Sequence, residues 1–258
     1  MFPGIGMKIS SFALLFCALS GGVSMKACAT PIDVMAFNVR YGEARDGADS
    51  WEHRKDIVVA AIEEYQPDVV GTQECLGFQA EYLGDRLPGY RWFGIGREAD
   101  GTGEMMAVFF KKNVLIPIEV DNFWLSRDPE TPGSQSWGAA CRRMVTGIRF
   151  NHLRSGEFVE VFNTHFDHLS AAARLRSAKL LAQRAAQEET AAILLGDFNA
   201  AAQSSAPWKA LIESGFQDAW CTAEVRSGPS GTFHGFKGPE RTSKARIDWV
   251  LFKGPLRA

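Results

Sequence analysis

Apolar residues recur along this chain in two periods, and segments of one kind alternate with segments of the other. Apolar positions three and four residues apart predict helices over Glu52–Tyr65, Phe78–Leu87, Ala171–Glu188 and Trp208–Ser214. Short apolar runs bounded by turn residues predict strands over Ile32–Val39, Asp68–Thr72, Tyr90–Ile95, Met105–Lys111, Val114–Leu125, Met144–Phe150, Phe158–Thr164, Ala191–Leu195 and Arg246–Phe252. Strands alternate with helices at both ends and follow one another in the middle. This order favours an α/β or mixed layered fold over an all-β sandwich.

The N-terminal segment has a different pattern. Lys8 precedes an apolar run, Ile9–Leu19, and a weakly polar stretch then leads to Ala27-Cys28-Ala29, a small-x-small site of the kind that signal peptidase cuts. The apolar run is too short to span a bilayer, so we expect no stable membrane anchor. We therefore predict a signal peptide over residues 1–29, one domain over residues 30–258, and a periplasmic or secreted protein.

Charge and cysteine content narrow the class of protein. The chain has 28 Lys and Arg against 30 Asp and Glu, and the predicted signal peptide contains two Lys and no acid, so the net charge changes from −2 to −4 on cleavage. This balance argues against a broad basic surface that coats nucleic acid, although the locally basic residues 234–258 would suit an anionic substrate. Three cysteines remain after cleavage, namely Cys75, Cys141 and Cys221. Their number and spacing match neither a disulfide framework nor a zinc site, and they allow one disulfide.

Polar residues with useful chemistry lie at or near the ends of predicted strands, where an α/β scaffold presents functional groups. They are Asn38, Glu74, His165 with Asp167, Asp197 with Asn199, and Asp248. Carboxylate oxygens suit Mg²⁺ or Mn²⁺ better than zinc. The chain contains no His-Glu-x-x-His, Gly-x-Ser-x-Gly or P-loop motif. Carboxylates, amides and a histidine around a divalent ion favour metal-assisted hydrolysis of a phosphate ester.

Five short runs then occur in the order typical of the endonuclease/exonuclease/phosphatase superfamily, which includes deoxyribonuclease I. They are Phe37-Asn38-Val39-Arg40, Gly71-Thr72-Gln73-Glu74, Asn163–His168, Leu195–Asn199 and Arg246–Trp249. The chain resembles this superfamily over about residues 32–252. The resemblance implies a four-layer αββα sandwich, in which two mixed sheets pack face to face with helices outside. It also implies a Mg²⁺-dependent (or Mn²⁺-dependent) hydrolase of anionic phosphate esters, and the predicted signal peptide makes this an exported enzyme.

The resemblance implies a role for each residue that matches the superfamily's motifs. Glu74 would ligate the metal, and Asn38 would ligate it directly or lie beside it. Asp197 would orient or deprotonate the attacking water. His165 would donate to a phosphate oxygen as negative charge builds, and Asn199 would bind the phosphate and so take part in both substrate binding and catalysis.

The chain departs from the superfamily pattern after its last predicted strand. In that pattern Asp248 would act in catalysis by orienting the histidine of a final Ser-Asp-His run, but the chain ends at Ala258 without such a run. We therefore expect a missing last strand, an unpaired sheet edge and low turnover, with recovery on adding about 30–40 family-like residues. His234 would contact substrate. Asp167 and His168 would act at the site or have a structural role.

Two alternatives to a phosphoesterase stay open. One is a catalytically impaired binding module on the same fold, and the other is a glycan hydrolase that uses paired carboxylates such as Glu104 and Asp197. The substrate also stays open among sugar phosphates, phospholipid headgroups and nucleic acid, the last of which the net charge does not favour. The enzyme would thus be a phosphatase, a phosphodiesterase or a nuclease. No protein partner is predicted.

Overall fold

Most of the strands and helices occupy segments that the apolar periodicity predicts. The computed structural model describes residues 5–11, 31–186, 191–238 and 243–258, with residues 5–11 as backbone alone. The strands are β1 (Ile5–Ser11), β2 (Pro31–Asn38), β3 (Val69–Gln73), β4 (Tyr90–Phe93), β5 (Val108–Lys111), β6 (Leu115–Trp124), β7 (Met144–His152), β8 (Phe158–His165), β9 (Ala191–Asp197), β10 (Gln217–Asp218), β11 (Asp248–Lys253) and β12 (Leu256–Arg257). The helices are α1 (Trp51–Tyr65), α2 (Gly77–Arg86), α3 (Ala171–Arg184), α4 (Ala206–Glu213) and α5 (Ala219–Thr222).

The strands form two sheets of six strands each. The first has the order β12-β1-β2-β3-β5-β4, and the second has the order β10-β11-β9-β8-β7-β6. Each sheet is mixed, because β2 pairs with β3 and β8 pairs with β9 in parallel, whereas the remaining pairs are antiparallel. The parallel pairs bring the carboxyl ends of β2 and β3, and those of β8 and β9, to the same edge of their sheets.

The two sheets pack face to face, and helices cover their outer faces. Val34 and Val69 of the first sheet share one buried cluster with Val161 and Ile193 of the second. On the outer faces, α1 and α2 contribute to a cluster with the first sheet, and α3 and α4 contribute to a cluster with the second. The αββα sandwich of two mixed sheets is therefore confirmed.

Strand β9 shows why a continuous apolar run was the right signal for a central strand. All seven of its residues are buried. Ile193 and Leu195 pack into the cluster between the sheets, whereas Ala192 and Leu194 pack into the cluster beneath α3 and α4. A strand covered on both faces needs apolar residues at every position rather than at alternate positions. This packing also holds the end of β9, where Asp197 lies, in a rigid frame.

The N-terminal backbone takes part in the first sheet. Residues 5–10 of β1 pair antiparallel with Pro31–Ala36 of β2, and Ser10 and Ser11 pair with β12. Most of the predicted signal peptide lies outside the described residues, and its cleavage, the resulting domain boundary and the missing last strand stay predictions. The helices of the described segments include none with the length and apolar character needed to cross a bilayer.

Candidate active site

The ends of five strands surround a cavity of about 790 Å³. Strands β2 and β3 contribute from one sheet, and β8, β9 and β11 contribute from the other. The cavity contains every site residue that the sequence predicts, namely Asn38, Glu74, His165, Asp197, Asn199, His234 and Asp248. Residues that are up to 210 positions apart along the chain (38 to 248) thus form one site at one end of the sandwich.

Asn38 connects the carboxylates of the two sheets. Its side-chain Nδ2 donates to Glu74 Oε1 at 2.9 Å and to Asp197 Oδ2 at 3.1 Å, while its Oδ1 accepts the backbone N–H of Arg40 at 2.9 Å. The backbone N–H of Tyr41 donates to the other Glu74 oxygen at 2.9 Å. The amide of Asn38 therefore orients two carboxylates and uses its own oxygen within the loop.

Backbone geometry at the strand ends turns two of these side chains into the cavity. Glu74 and Asn199 both adopt positive φ values, 57° and 47° respectively. Positive φ is uncommon for residues other than glycine, and such residues cluster at functional sites. The N–H of Asn199 donates to Asp197 Oδ1 at 2.9 Å, so this turn also fixes the Asp197 carboxylate.

Asp197 and Asp248 form a buried acidic pair. They lie directly opposite each other on the antiparallel strands β9 and β11. Burial raises the pKa of Asp197 to about 6, although hydrogen bonds from Asn199 and Asn38 oppose the shift. Burial and the charge of Asp197 hold the pKa of Asp248 well above its usual range. The pair thus favours protonation unless a cation lies nearby.

A divalent cation fits this donor set. Glu74, Asp197 and Asp248 bring three carboxylates to the cavity, and the closest guanidinium contact to any of them is Arg40 Nη1 to Glu74 Oε2 at 3.8 Å among the described residues. Oxygen ligands of this kind suit Mg²⁺ or Mn²⁺. Buried negative charge without a close cation is costly, and a bound divalent ion would remove that cost.

His165 faces the carboxylates as a neutral ring. Its Nε2 accepts the Asn199 Nδ2–H at 2.8 Å, so we assign the ring proton to Nδ1. Burial, followed by the charges of Arg143 and Arg97, holds the pKa of His165 well below its usual range. The Nδ1 atom has no hydrogen-bond partner within the described part of the chain. His165 therefore carries an N–H donor without a positive charge.

His234 lies in the loop that closes another part of the cavity. Its Nδ1 accepts the backbone N–H of Phe236 at 3.1 Å, and burial lowers the pKa of the ring. Phe236 has a positive φ of 60° and its ring lies under the guanidinium of Arg54, 5.1 Å away. Phe233 in the same loop is 61% exposed. The structure thus places His234 in the site, among aromatic side chains of one loop.

Sequence reasoning did not assign several charged residues of the cavity to the site. They are Arg40, Asp46, Arg54, Arg97 and Arg143. Glu104 also lines the cavity, where its carboxylate pairs with Arg97 Nη1 at 2.7 Å. Arg54 comes from helix α1, and the others come from loops rather than from strand ends. Their only local signal was the charge itself, which does not distinguish a cavity wall from a solvated surface.

Asp167 has a structural role, which is one of the two roles predicted for it. Its carboxylate accepts backbone N–H groups of Ala140 at 2.7 Å, Cys141 at 3.4 Å, Leu169 at 3.0 Å and Ser170 at 2.7 Å. Burial acts to raise its pKa, but these hydrogen bonds outweigh burial and lower it. The Cys141 thiol, Asp167 and His168 lie within 4.8 Å of one another, yet a carboxylate occupied by four amides is a poor metal ligand. Cys75, Cys141 and Cys221 are all free.

The acidic pair predicts how pH changes stability. Because the folded protein keeps protons on Asp197 and Asp248 that the unfolded chain loses near its ordinary pKa of 3.8, the free energy of unfolding in chelator should fall as pH rises from about 4 through about 6. A divalent cation needs the ionised carboxylates, so at about 100 times its Kd it should add about 2.7 kcal/mol at pH 8 and less at pH 5. Thermal unfolding with Mg²⁺ or chelator at both pH values checks this. An equal effect of Mg²⁺ at the two pH values would contradict it.

Comparisons with known proteins agree with the fold. The sequence pattern of the endonuclease/exonuclease/phosphatase family matches residues 35–258. A solved endonuclease/exonuclease/phosphatase from Bacteroides vulgatus is 32% identical, with a TM-score of 0.81, and the alignment covers 85% of this chain and 86% of that one. A solved mannosyl-6-phosphatase from Bacteroides thetaiotaomicron is 30% identical, with a TM-score of 0.81 and coverage of 86% and 85%. An uncharacterized protein of Acanthamoeba polyphaga mimivirus is 29% identical over 161 residues, which cover 58% of this chain and 59% of the viral protein's length.

Proposed function

The chain belongs to the endonuclease/exonuclease/phosphatase family, and on this premise we propose that it is an exported phosphoesterase that uses a divalent metal ion. One observation carries the proposal. Three carboxylates, an imidazole N–H and an amide converge on one cavity, and the carboxylates lack a close cation among the described residues. Export rests on the N-terminal sequence pattern, in which Lys8 precedes the apolar run Ile9–Leu19 and a small-x-small site.

Glu74 would hold the ion, and Asp197 and Asp248 would lie near it. Asn38 would keep the carboxylates of Glu74 and Asp197 in position. A bound divalent ion would polarise the phosphoryl group and neutralise part of its charge. The family as a whole is generally dependent on divalent metals. Mg²⁺ is the ion that we propose, with Mn²⁺ as the alternative, because both prefer carboxylate and amide oxygens.

The remaining side chains can assist the attack of water on phosphorus. Asp197 Oδ1 is fixed by the Asn199 N–H, so its carboxylate can orient a water molecule and accept its proton. The Nδ1–H of His165 has no partner among the described residues, and it would donate to a phosphoryl oxygen as negative charge develops there. Asn199 holds the His165 ring through Nε2 and contacts Phe166 O, which keeps the donor in place.

A phosphatase is the phosphoesterase that we favour. The relative that is a mannosyl-6-phosphatase supports hydrolysis of a monoester, with a sugar phosphate as one candidate substrate. A glycan hydrolase is less well supported, because Glu104 is tied to Arg97 at 2.7 Å and is not a free partner for Asp197. A binding module without turnover on the same fold stays the second candidate, because the fold alone does not establish catalysis.

Hydrolysis of p-nitrophenyl phosphate and bis(p-nitrophenyl) phosphate tests the proposal. We expect turnover with Mg²⁺ or Mn²⁺, none in excess chelator, and a loss of at least about 100-fold in Glu74→Ala, because the variant lacks a metal ligand. Glu81→Ala, an exposed acid on α2, is the matched control and should keep full activity. A version of the chain extended by a family-like Ser-Asp-His segment provides the high-turnover reference. Absence of turnover by both versions with either metal would favour the binding module.

A further inference from the structure

One arginine in the wall of the cavity has an incomplete set of partners. Arg143 is 5% exposed, and its Nη2 donates to His168 Nδ1 at 3.1 Å. Its Nε and Nη1 are buried and have no hydrogen-bond partner among the described residues, and no described carboxylate forms an ion pair with it. A buried guanidinium without a counter-charge is costly, and an anion that enters the cavity would remove this cost.

The other guanidinium groups of the cavity use more of their donors within the protein, although Arg54 Nη2 and Arg97 Nε have no hydrogen-bond partner among the described residues. Arg40 donates twice to Asp46 at 2.9 Å, and Arg97 pairs with Glu104 at 2.7 Å. Arg54 donates to the carbonyl oxygens of Asp49 and Val39 and lies over an aromatic ring. Arg143 is therefore the guanidinium in this group that keeps most of its donors available for a ligand.

The position of Arg143 is rigid and close to the reacting groups. It directly precedes β7, and the pairing of Val145 with Thr164 places it beside the end of β8, where His165 lies. Its carbonyl oxygen accepts the N–H of Leu125 at 2.7 Å, which anchors the backbone. Burial is the main cause of the low pKa of His165, and the positive charge of Arg143 is the next, so this charge reaches the site.

We propose that Arg143, oriented by His168, binds the non-bridging oxygens of a phosphate monoester in this cavity, and that monoesters are the preferred substrates. This inference rests on the proposed function of the same cavity. A monoester dianion has three terminal oxygens and two charges, whereas a diester has two terminal oxygens and one charge. A guanidinium offers a planar pair of donors that matches two phosphate oxygens, and its unpaired charge favours the dianion.

Substitution of Arg143 by Met should separate the two kinds of ester. For Arg143→Met, we expect kcat/KM for p-nitrophenyl phosphate to fall by about 30- to 100-fold, the effect of losing a hydrogen bond to a charged group. For bis(p-nitrophenyl) phosphate we expect a fall of about 3-fold or less. The diester has one negative charge fewer than the monoester, so its attraction to the guanidinium is weaker and less is lost with it. The matched control is Arg142→Met, since Arg142 pairs with Glu98 at 2.6 Å, donates to Gly133 O and does not line the cavity.

Binding of inorganic phosphate gives a readout that does not need turnover. Calorimetric titration with and without Mg²⁺ should show binding by the unsubstituted chain and by Arg142→Met, and about 10-fold or more weaker binding by Arg143→Met. Where the Met variant does not fold, Arg143→Lys keeps the buried charge. It should lose about 10-fold on the monoester and little on the diester, because Lys lacks the planar pair of donors.

The outcomes distinguish this inference from the proposed function. Arg143-dependent phosphate binding without hydrolysis of either ester would overturn the enzyme and keep the phosphate site. Equal losses on both esters in Arg143→Met or Arg143→Lys, with unchanged phosphate binding, would overturn the inference and keep the phosphoesterase. A chain that neither binds phosphate nor hydrolyses an ester would overturn both.

Discussion

Replacing Asp197 by Asn should lower kcat for p-nitrophenyl phosphate by about 10²- to 10⁴-fold, the usual contribution of a general base. The side chain keeps its size but cannot accept the proton of the attacking water. The same substitution removes a buried charge next to Asp248 and Glu74, so at pH 8 in chelator Asp197→Asn should be at least as stable as the original chain. Steady-state kinetics and thermal unfolding of one preparation measure both effects.

The combination of lost activity and retained stability is what identifies a catalytic carboxylate. A structural carboxylate would lose both together. Asp85→Asn on the exposed side of α2 is the control, and it should leave activity and stability unchanged. A kcat for Asp197→Asn within about 3-fold of the original value would rule out the proton-transfer role.

Replacing Asp218 by Ala should lower the free energy of unfolding by about 3–5 kcal/mol, because it leaves a buried arginine without its partner. Asp218 is 3% exposed and accepts Arg246 Nη2 at 2.6 Å and Trp208 Nε1 at 2.8 Å through one oxygen. Its other oxygen accepts the N–H of Trp220 at 3.0 Å and caps α5. Urea unfolding at pH 7 measures the change, which would be a large part of the stability of an ordinary domain.

Two variants make this result specific to the ion pair. Asp85→Ala, an exposed carboxylate, should change the free energy of unfolding by no more than about 0.5 kcal/mol. Arg246→Met leaves Asp218 without its cation, but the carboxylate keeps the N–H donors of Trp208 and Trp220, so this variant should cost less than Asp218→Ala. If Asp218→Ala and Asp85→Ala unfolded at the same urea concentration, the buried pair would contribute nothing measurable.

The Asp218–Arg246 pair also corrects one expectation from the sequence. Arg246 belongs to the basic C-terminal stretch that was expected to provide a rim for an anionic substrate. It is buried instead, and its charge is neutralised inside the protein. Local charge counts treat every basic residue as exposed, and only the packing of β10 and β11 against each other shows that this one is not.

Most of the fold could be predicted from the sequence because apolar periodicity is a local property. The α1 helix and the fully buried strand β9 lie within a few residues of their predicted limits. The shortest elements, β10, β12 and α5, were not predicted, since two to four residues contain less than one period of either pattern. The signal peptide over residues 1–29 stays a prediction, and residues 5–11 within it form β1.

The sequence by itself determined which chemical groups this protein brings to its site, because Asn38, Glu74, His165, Asp197, Asn199 and Asp248 lie in motifs at strand ends. Only the tertiary structure decided their hydrogen-bond partners and pKa values. Asn38 bonds to Asp197 across 159 residues, and the pKa of Asp197 depends on the elements that cover it. The same burial leaves Arg143 without an ion pair among the described residues, whereas Arg40 and Arg97 pair with Asp46 and Glu104. Desolvation and ion pairing depend on which distant segments meet, and this information is not present in any local pattern of residues.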